Sequence, residues 1–225
     1  MYLHKYKDYE EYKNIQVIRN KQKLSYSWVN LNNLYKIVEF ILDINPKVSF
    51  GLCHGTRRGF EQKQIKEEFS KRGKDVNVIG TEISDTANQF ESTIEWDFHN
   101  VHPDWVNNVD FIYSNSLDHS YDPEMCLDRW MSCLNESGVC VLEWSSQHSE
   151  RTPRDTEELF ENPKMPFTAR QLDPFVADLD EYKNLIEKKY DIVHIMKNSA
   201  RASGSSVRKD VRYKDNRYIF IKKYL

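Results

Sequence analysis

From residue 46 onward, short apolar runs alternate with amphipathic segments, and this alternation constrains the fold more than any other feature of the sequence. The apolar runs have the length and the β-branched or aromatic content of buried strands, while the segments between them repeat apolar residues at helical spacing. The runs occupy residues 47–53, 76–82, 109–115 and 138–144, with a weaker one at 92–98, and the helical segments occupy 61–73 and 123–134. This order predicts an α/β fold in which helices cover both faces of a mostly parallel sheet.

The last third of the chain continues the pattern with one helix and two strands. The helix is predicted at 178–190, and the strands are predicted at 191–197 and 217–225. A polar, basic segment separates the two strands, so we expect them to form an antiparallel pair joined by a long loop.

Residues 1–45 precede the alternating region and are predicted to form an N-terminal helical extension, with the main domain at 46–225. Four tyrosines within the first twelve residues lie at helical spacing, and a second amphipathic helix is predicted at 31–44. We favour packing of these tyrosines on the edge of the domain. A lid over a substrate and a contact in a homodimer are the alternative roles.

The composition argues against several classes of protein. The formal net charge is −3, so we expect no general attraction to the phosphates of nucleic acids. No apolar run approaches the roughly 20 residues that span a bilayer, and the polar, lysine-rich start lacks the apolar core of a signal peptide. A cytoplasmic protein without a membrane partner is therefore expected. The four cysteines contain no C-x-x-C pair and are predicted to be reduced and mostly buried rather than to bind zinc.

A glycine-containing loop follows the first strand of the alternating region, in the stretch VSFGLCHGTRRGFEQ at residues 48–62. Gly51, Gly55 and Gly59 recur at four-residue intervals where the strand gives way to a helix. In open α/β sheets, backbone N–H groups and the positive end of a helix meet at this point and bind ligands. The spacing is neither G-x-G-x-x-G nor G-x-x-x-x-G-K-[ST], so a plain turn is the alternative interpretation.

Polar residues end the next strands at the same edge of the predicted sheet. Glu82 ends the second strand, where a carboxylate can accept hydrogen bonds from both hydroxyls of a ribose; solvation or helix capping is the alternative. Asp97 and Phe98 end the third strand, and a carboxylate beside an aromatic ring suits the exocyclic amine and the face of adenine. Asn115 and His119 follow the fourth strand. The glycine loop is therefore predicted to be part of a ligand site.

The stretch from residue 97 to residue 143 resembles the class I S-adenosylmethionine-dependent methyltransferases. The shared features are an acidic residue near the third strand, an acidic–apolar pair entering the fourth, L-x-H after it, D-P at a helix start and L-x-x-x-G before the fifth strand. They are Asp97, Asp110–Phe111, Leu117–His119, Asp122–Pro123 and Leu134–Gly138. The resemblance extends from about residue 48 to the end. It implies a Rossmann-like sheet of seven strands with an antiparallel last strand, a methyltransferase-like domain at 46–225, and S-adenosylmethionine as the cofactor.

The resemblance also implies roles for individual residues in the loop and after the fourth strand. The backbone of Gly51, Cys53 and Gly55 would approach the methionine part of the cofactor. Ser114 and Asn115 would lie beside the transferable methyl group.

The same resemblance assigns Glu82 to the ribose hydroxyls, Asp97 to the adenine amine and Phe98 to the surroundings of the ring. The sequence departs from the family in its first motif, which usually has an acidic residue at the end of the first strand and a tighter G-x-G. This chain has FGLCHGTRRG there. The sequence therefore does not identify the residue that binds the amino group of the cofactor.

Methyl transfer from a sulfonium is an in-line displacement, so the site has to align the acceptor and exclude water, with a base if the acceptor is a hydroxyl. His119 is the first candidate for that base because imidazole titrates near neutral pH, and packing is its alternative role. His148 is the second candidate. Arg57 and Arg58 are candidates to bind an anionic acceptor, and Trp144 is a candidate to line its pocket. No tight metal-ligand spacing is present, so no metal is predicted.

The preferred hypothesis is an S-adenosylmethionine-dependent methyltransferase that acts on a small polar molecule at oxygen, with a sugar or another polar metabolite as the acceptor. A nicotinamide-dependent oxidoreductase and a methyltransferase-like binding domain without turnover are the alternatives. Methylation of nucleic acid is disfavoured, because SNSL after the fourth strand differs from the Asn-Pro-Pro-aromatic signature of base amino methylation and the net charge is negative.

Overall fold

The computed structural model describes residues 1–27, 29–146, 174–198 and 216–224. In these ranges the strands are β1 (Tyr2–Leu3), β2 (Phe50–His54), β3 (Asn77–Glu82), β4 (Thr93–Glu95), β5 (Val109–Ser114), β6 (Leu134–Trp144), β7 (Phe175–Val176), β8 (Tyr190–Lys197) and β9 (Arg217–Lys223). The α-helices are α1 (Tyr9–Lys23), α2 (Leu31–Ile44), α3 (Phe60–Lys71), α4 (Pro123–Cys133) and α5 (Leu179–Glu187). The strands and helices predicted after residue 46 are all present.

Within the described residues, the strands from β2 onward, apart from β7, form a seven-stranded sheet in the order β4-β3-β2-β5-β6-β9-β8. β9 runs antiparallel to β6 and β8, and the remaining neighbours are parallel. The predicted Rossmann-like sheet with an antiparallel last strand is therefore confirmed. β1 and β7 form a separate antiparallel ribbon.

Side chains along β2 alternate between the two faces of the sheet, as the two-residue period of a strand requires. Leu52 packs in the apolar cluster under α4 and α5, and Cys53 packs in the apolar cluster under α2 and α3. Helices on both faces are therefore confirmed. α2, from the predicted extension, contributes the fully buried Ile37 and Ile41 to the second cluster, and the domain boundary after residue 45 stays a prediction.

The N-terminal tyrosines do not all lie on one helix. α1 begins at Tyr9, because the Asp8 side chain accepts a hydrogen bond of 2.9 Å from the backbone N–H of Glu11 and caps the helix. Tyr2 instead pairs with Val176 in the ribbon of β1 and β7. The helical interpretation of the spacing is therefore wrong for the residues before Asp8.

Asp110 lies near the start of β5 and forms hydrogen bonds to residues near the starts of β2 and β6. Its Oδ2 accepts hydrogen bonds of 2.8 and 3.0 Å from the backbone N–H groups of Ser49 and Phe50. Its Oδ1 accepts 2.9 Å hydrogen bonds from the side-chain amides of Asn45 and Asn135. Burial acts to raise the pKa of Asp110, but these donors outweigh it and the pKa lies below its ordinary value. The acidic residue of the D-apolar pair therefore has a structural role.

Cys53, Cys126, Cys133 and Cys140 are free and buried, as predicted. Burial raises the pKa of each of them, so all four are thiols at neutral pH. In the part of the chain that the structure describes, no helix has the length and apolar character needed to cross a membrane.

Candidate active site

An open cleft of about 500 Å³, a volume that includes space open to solvent, lies at the carboxyl ends of β2, β3 and β5. β3 and β5 pair with opposite sides of β2, and open α/β sheets bind ligands where the chain switches sides in this way. The residues that line the cleft are Tyr12, Gln16, Arg19, Asn20, Lys23, Gly55, Arg57, Glu82, Ile83, Asp97, Phe98, Ser116 and His119.

Glu82 ends β3 with a buried carboxylate in this cleft. Its Oε2 accepts a 3.0 Å hydrogen bond from the backbone N–H of Arg57, and its Oε1 accepts one of 3.1 Å from the backbone N–H of Ser84. Burial raises the pKa of Glu82, and these donors offset only part of that effect. Because carboxylate oxygens accept more than one hydrogen bond, a carboxylate oriented in this way suits the hydroxyls of a ribose.

Asp97 and Phe98 lie together in the same cleft. Oδ2 of Asp97 accepts a 2.8 Å hydrogen bond from the Tyr9 hydroxyl. Oδ1 of Asp97 lies 2.7 Å from Nδ1 of His99. Burial acts to raise the pKa of Asp97, but the hydrogen bonds from His99 and Tyr9 outweigh it and keep the pKa below its ordinary value. Phe98 is 8% exposed, and its ring is held edge-on against Trp130. A fixed carboxylate and a fixed ring thus lie side by side.

The three glycines of the loop have different roles. Gly55 turns the chain out of β2 with φ at 72°, and a Cβ there would lie 2.6 Å from the side chain of Ser116. Gly51 lies within β2, where a Cβ would overlap the ring of Phe111 at 2.1 Å. Gly59 precedes α3 as its N-cap in the left-handed conformation. Of the three, Gly55 lines the cleft.

α1 forms a wall of the cleft, and Tyr12, one of the tyrosines for which a lid was the alternative role, lines it. The sequence pattern identifies none of the polar residues of this helix as candidates. Gln16, Arg19, Asn20 and Lys23 lie on one face of this helix, line the cleft and are each at most 9% exposed. Asn20 accepts a 2.9 Å hydrogen bond from the Thr86 hydroxyl, which ties the helix to the segment after β3. These side chains follow the i, i+3, i+4, i+7 spacing of one helix face. A polar stripe at that spacing is the signal that could have identified them.

His119 lies in a short 3₁₀ turn after β5 and lines the cleft. Its Nδ1 is 3.1 Å from Oε1 of Gln16. Because an amide oxygen only accepts, Nδ1 carries a proton in this contact, and in the neutral ring the lone pair then lies on Nε2, as a base acting through Nε2 requires. His148, the other catalytic candidate, lies outside the described residues. Within the described ranges, no group of three His, Cys, Asp or Glu side chains is placed to hold a metal ion.

A smaller cavity of about 220 Å³, a volume that includes space open to solvent, adjoins the cleft and shares Gly55 and Arg57 with its lining. Arg57 and Arg58 both line it, and their guanidinium groups donate to the backbone carbonyls of Tyr26 and Ser25 at 3.2 and 3.3 Å. The predicted acceptor-binding arginines are therefore brought together in this cavity. The lining residues are Tyr26, Ser27, Gly55, Thr56, Arg57, Arg58, Phe60, Glu61 and Asn115.

Four other candidates lie inside the sheet or the core. Gly51 and Cys53 lie within β2. The Ser114 hydroxyl is 1% exposed and donates to a backbone carbonyl of β2 at 3.0 Å. The Trp144 indole N–H donates to the carbonyl of Ala177 at 3.0 Å. These four are not among the described residues that line either cavity, and their binding roles stay predictions.

Several methyltransferases of known structure share this architecture. The match with the CurJ carbon methyltransferase covers 91% of this chain and 58% of that chain, with 11% identity and a TM-score of 0.60. The match with the Burkholderia thailandensis 1,6-didemethyltoxoflavin-N1-methyltransferase, which was solved with S-adenosylhomocysteine bound, covers 84% and 77%, with 10% identity and a TM-score of 0.55. The chain has the class I methyltransferase fold.

The similarity is one of structure rather than of sequence. No protein-family model and no curated protein matches the sequence. The CMeT domain of the citrinin polyketide synthase matches 79% of this chain with a TM-score of 0.52 and 12% identity, and this chain spans 47% of that structure. At such identities the likeness establishes the class I methyltransferase fold and not the reaction.

Proposed function

We propose that this chain is an S-adenosylmethionine-dependent methyltransferase that acts on a small polar molecule, with a hydroxyl oxygen as the methyl acceptor. The observation that carries the proposal is that Glu82, Asp97 and Phe98 line one cleft at the carboxyl ends of β2, β3 and β5. The class I resemblance assigns cofactor contacts to each of these three positions. The fold shared with methyltransferases of known structure supports the same conclusion.

The chemistry of the cleft fits an adenosyl group. Glu82 would accept hydrogen bonds from the ribose hydroxyls, Asp97 would accept one from the adenine amine, and Phe98 would pack against the base. Both carboxylates are already oriented by hydrogen-bond donors of the protein, so binding requires little reorganisation of the site. When bound, the cofactor supplies an electrophilic methyl group on a sulfonium.

The side chains of this protein would then align the acceptor, exclude water and accept a proton. α1 covers one side of the cleft with buried side chains, which limits the access of water to the reacting atoms. His119 Nε2 would accept the proton of the acceptor hydroxyl as the carbon–oxygen bond forms and the carbon–sulfur bond breaks. Gln16, which holds Nδ1 of His119, would fix the tautomer that this step needs.

Isothermal titration with S-adenosylhomocysteine, with NAD as the control ligand, tests the cofactor assignment. The wild type should bind S-adenosylhomocysteine and not NAD. Glu82→Ala should weaken this binding about 10- to 150-fold, because hydrogen bonds to a charged group contribute about 1.5–3 kcal/mol. Glu95→Ala is the matched control, since Glu95 pairs with Glu82 across β3 and β4 but is exposed. Preferential binding of NAD, or unchanged affinity in a folded Glu82→Ala variant, would contradict the proposal.

A further inference from the structure

The smaller cavity beside the cleft contains a buried carboxylate with an unpaired oxygen. Glu61, in the first turn of α3, is 6% exposed, and its Oε2 has no hydrogen-bond partner among the described residues. Two hydroxyl oxygens in the same cavity, Ser27 Oγ and Thr56 Oγ1, are also without one in the described part of the chain. Buried polar groups are nearly always paired, so three such oxygens around one cavity suit a ligand that donates hydrogen bonds.

Positive charge lies in the same cavity. Arg57 and Arg58 line it, and the hydrogen bonds of their guanidinium groups to the carbonyls of Tyr26 and Ser25 fix both side chains in place. A guanidinium group suits a carboxylate, and a buried carboxylate such as that of Glu61 suits an ammonium. A cavity lined by side chains of both charge signs therefore matches the chemistry of a small zwitterion, and an α-amino-acid group is one.

β2 offers no acidic residue that could meet an ammonium in the cleft. Its sequence is FGLCH, and a Cβ at Gly51 would already lie 2.1 Å from the ring of Phe111. The strand thus lacks the carboxylate that the class I family usually has there, and at Gly51 it has no space for one. A carboxylate that serves this purpose has to come from another element, and α3 supplies Glu61.

We propose that the smaller cavity binds an α-amino-acid group, with its ammonium donating to Glu61 and its carboxylate facing Arg57 and Arg58. The Thr56 hydroxyl accepts a further hydrogen bond from the ammonium. The inference rests on the proposed function, because the group assigned here is the methionine part of S-adenosylmethionine, reaching from the cleft past Gly55. A separate amino acid bound as the methyl acceptor has the same chemistry and is the competing source.

Paired titrations with S-adenosylhomocysteine and 5′-methylthioadenosine test the assignment, because the second ligand lacks the amino-acid group. At pH 8 the wild type should bind S-adenosylhomocysteine more tightly than 5′-methylthioadenosine. Glu61→Gln should weaken the binding of S-adenosylhomocysteine about 10-fold and leave the affinity for 5′-methylthioadenosine unchanged, because only the first ligand has the ammonium. Glu67→Gln, at an exposed position of α3, is the matched control and should alter neither. If Glu61→Gln weakened the binding of both ligands equally, or changed the affinity for neither, the inference would be overturned.

The pH dependence of ligand preference gives a readout that a purely structural role would not change. Burial raises the pKa of Glu61 to about 7. The titratable and charged groups that act on it from neighbouring elements are Cys53, Arg57, Arg58, Tyr113 and Glu143. Between pH 8 and pH 6 the wild type should lose about 10-fold of its preference for S-adenosylhomocysteine over 5′-methylthioadenosine, and Glu61→Gln should show no such loss. A wild-type preference that stays constant over this range contradicts the assignment.

L-Methionine distinguishes the two sources of the amino-acid group. If the cofactor itself fills the cavity, L-methionine should bind to the complex with 5′-methylthioadenosine and not to the complex with S-adenosylhomocysteine. Binding to the latter complex, abolished by Glu61→Gln, would place a separate amino acid in the cavity and overturn the cofactor assignment. If the proposed function is wrong, the result differs, because neither S-adenosylhomocysteine nor 5′-methylthioadenosine should then bind to the wild type. That outcome would also contradict the inference.

Discussion

Gly55 and Gly73 have nearly the same backbone conformation in different surroundings. Their φ angles are 72° and 69°, both in the left-handed region that residues with a Cβ disfavour. A Cβ at Gly55 would lie 2.6 Å from the Ser116 side chain, whereas a Cβ at Gly73 would meet nothing within 4 Å. Alanine substitutions at the two positions therefore allow the energetic cost of a left-handed backbone to be distinguished from the cost of a steric clash at the wall of the cleft.

Gly73→Ala should lower the free energy of unfolding by about 1 kcal/mol, the contribution of the left-handed backbone alone. Gly55→Ala should lower it by about 2–4 kcal/mol, because Ser116 or the loop must also move, and it should weaken the binding of S-adenosylhomocysteine. Urea denaturation and isothermal titration measure the two effects. Normal affinity in Gly55→Ala would argue against a place for Gly55 beside the cofactor.

Residues at strand ends were the part of the site that the sequence could identify. Glu82, Asp97, Phe98 and His119 each follow a strand, and parallel strands end at one edge of a sheet, so their common location in the cleft was predictable. Glu61 was not, because an acidic residue in the first turn of a helix is ordinarily explained by the helix dipole. Its burial depends on how α3 packs against the loop, which local spacing does not encode.

At the scale of the elements, α1 differs from the helices that cover the sheet. α2, α3 and α4 bury apolar faces against strands, so the periodicity of their apolar residues predicted them. α1 buries a polar face against a polar cleft, and polar side chains on a helix are normally expected to face solvent. Apolar periodicity finds the buried Tyr12 and Ile15 of this helix, but it does not predict that the polar residues are buried as well.

Asn20 connects α1 to the cleft and offers a test of the wall that this helix forms. Asn20→Ala should weaken the binding of S-adenosylhomocysteine about 5- to 10-fold, because its side chain holds the Thr86 hydroxyl and also reaches Glu82, and a neutral hydrogen bond contributes about 1 kcal/mol. Asn14→Ala, at an exposed position of the same helix, is the control in the titration. Wild-type affinity in both variants would contradict a role for α1 in the cofactor site. Equal losses of affinity in both variants would indicate a change in the helix itself.

At the scale of the whole molecule, the alternation of strands and helices predicted a mostly parallel sheet, and the class I resemblance implied the number of strands and the reversed last one. The order β4-β3-β2-β5-β6-β9-β8 depends on long-range pairing, which no local pattern encodes. The ribbon of β1 and β7 was missed because strands of two residues are too short to show an alternating pattern.

Two buried groups make the stability of the ligand-free protein depend on pH in opposite directions. Burial lowers the pKa of His54 to about 3, so the unfolded chain binds that proton more readily and stability falls as the pH falls from 6.5 toward 3. Burial raises the pKa of Glu61 to about 7, so the folded protein binds that proton more readily and stability falls as the pH rises from 4.5 toward 7. Above pH 7 the destabilising effect of the Glu61 carboxylate is fully present.

Glu61→Gln should therefore raise the free energy of unfolding of the ligand-free protein at pH 8, by up to about 3 kcal/mol, since one pKa unit corresponds to about 1.4 kcal/mol. At pH 4 the difference should nearly vanish, because the carboxyl is protonated in both the folded and the unfolded protein. Urea denaturation of the two proteins measures this difference, and the contribution of His54 cancels at each pH. Saturating S-adenosylhomocysteine should reduce the difference in the free energy of unfolding between the two proteins at pH 8. The ligand binds the wild type more tightly and therefore stabilises it more. A ligand-free variant that is less stable than the wild type at pH 8 would show that the carboxylate has a stabilising partner within the protein, and the smaller cavity would then not need an ammonium to complete it.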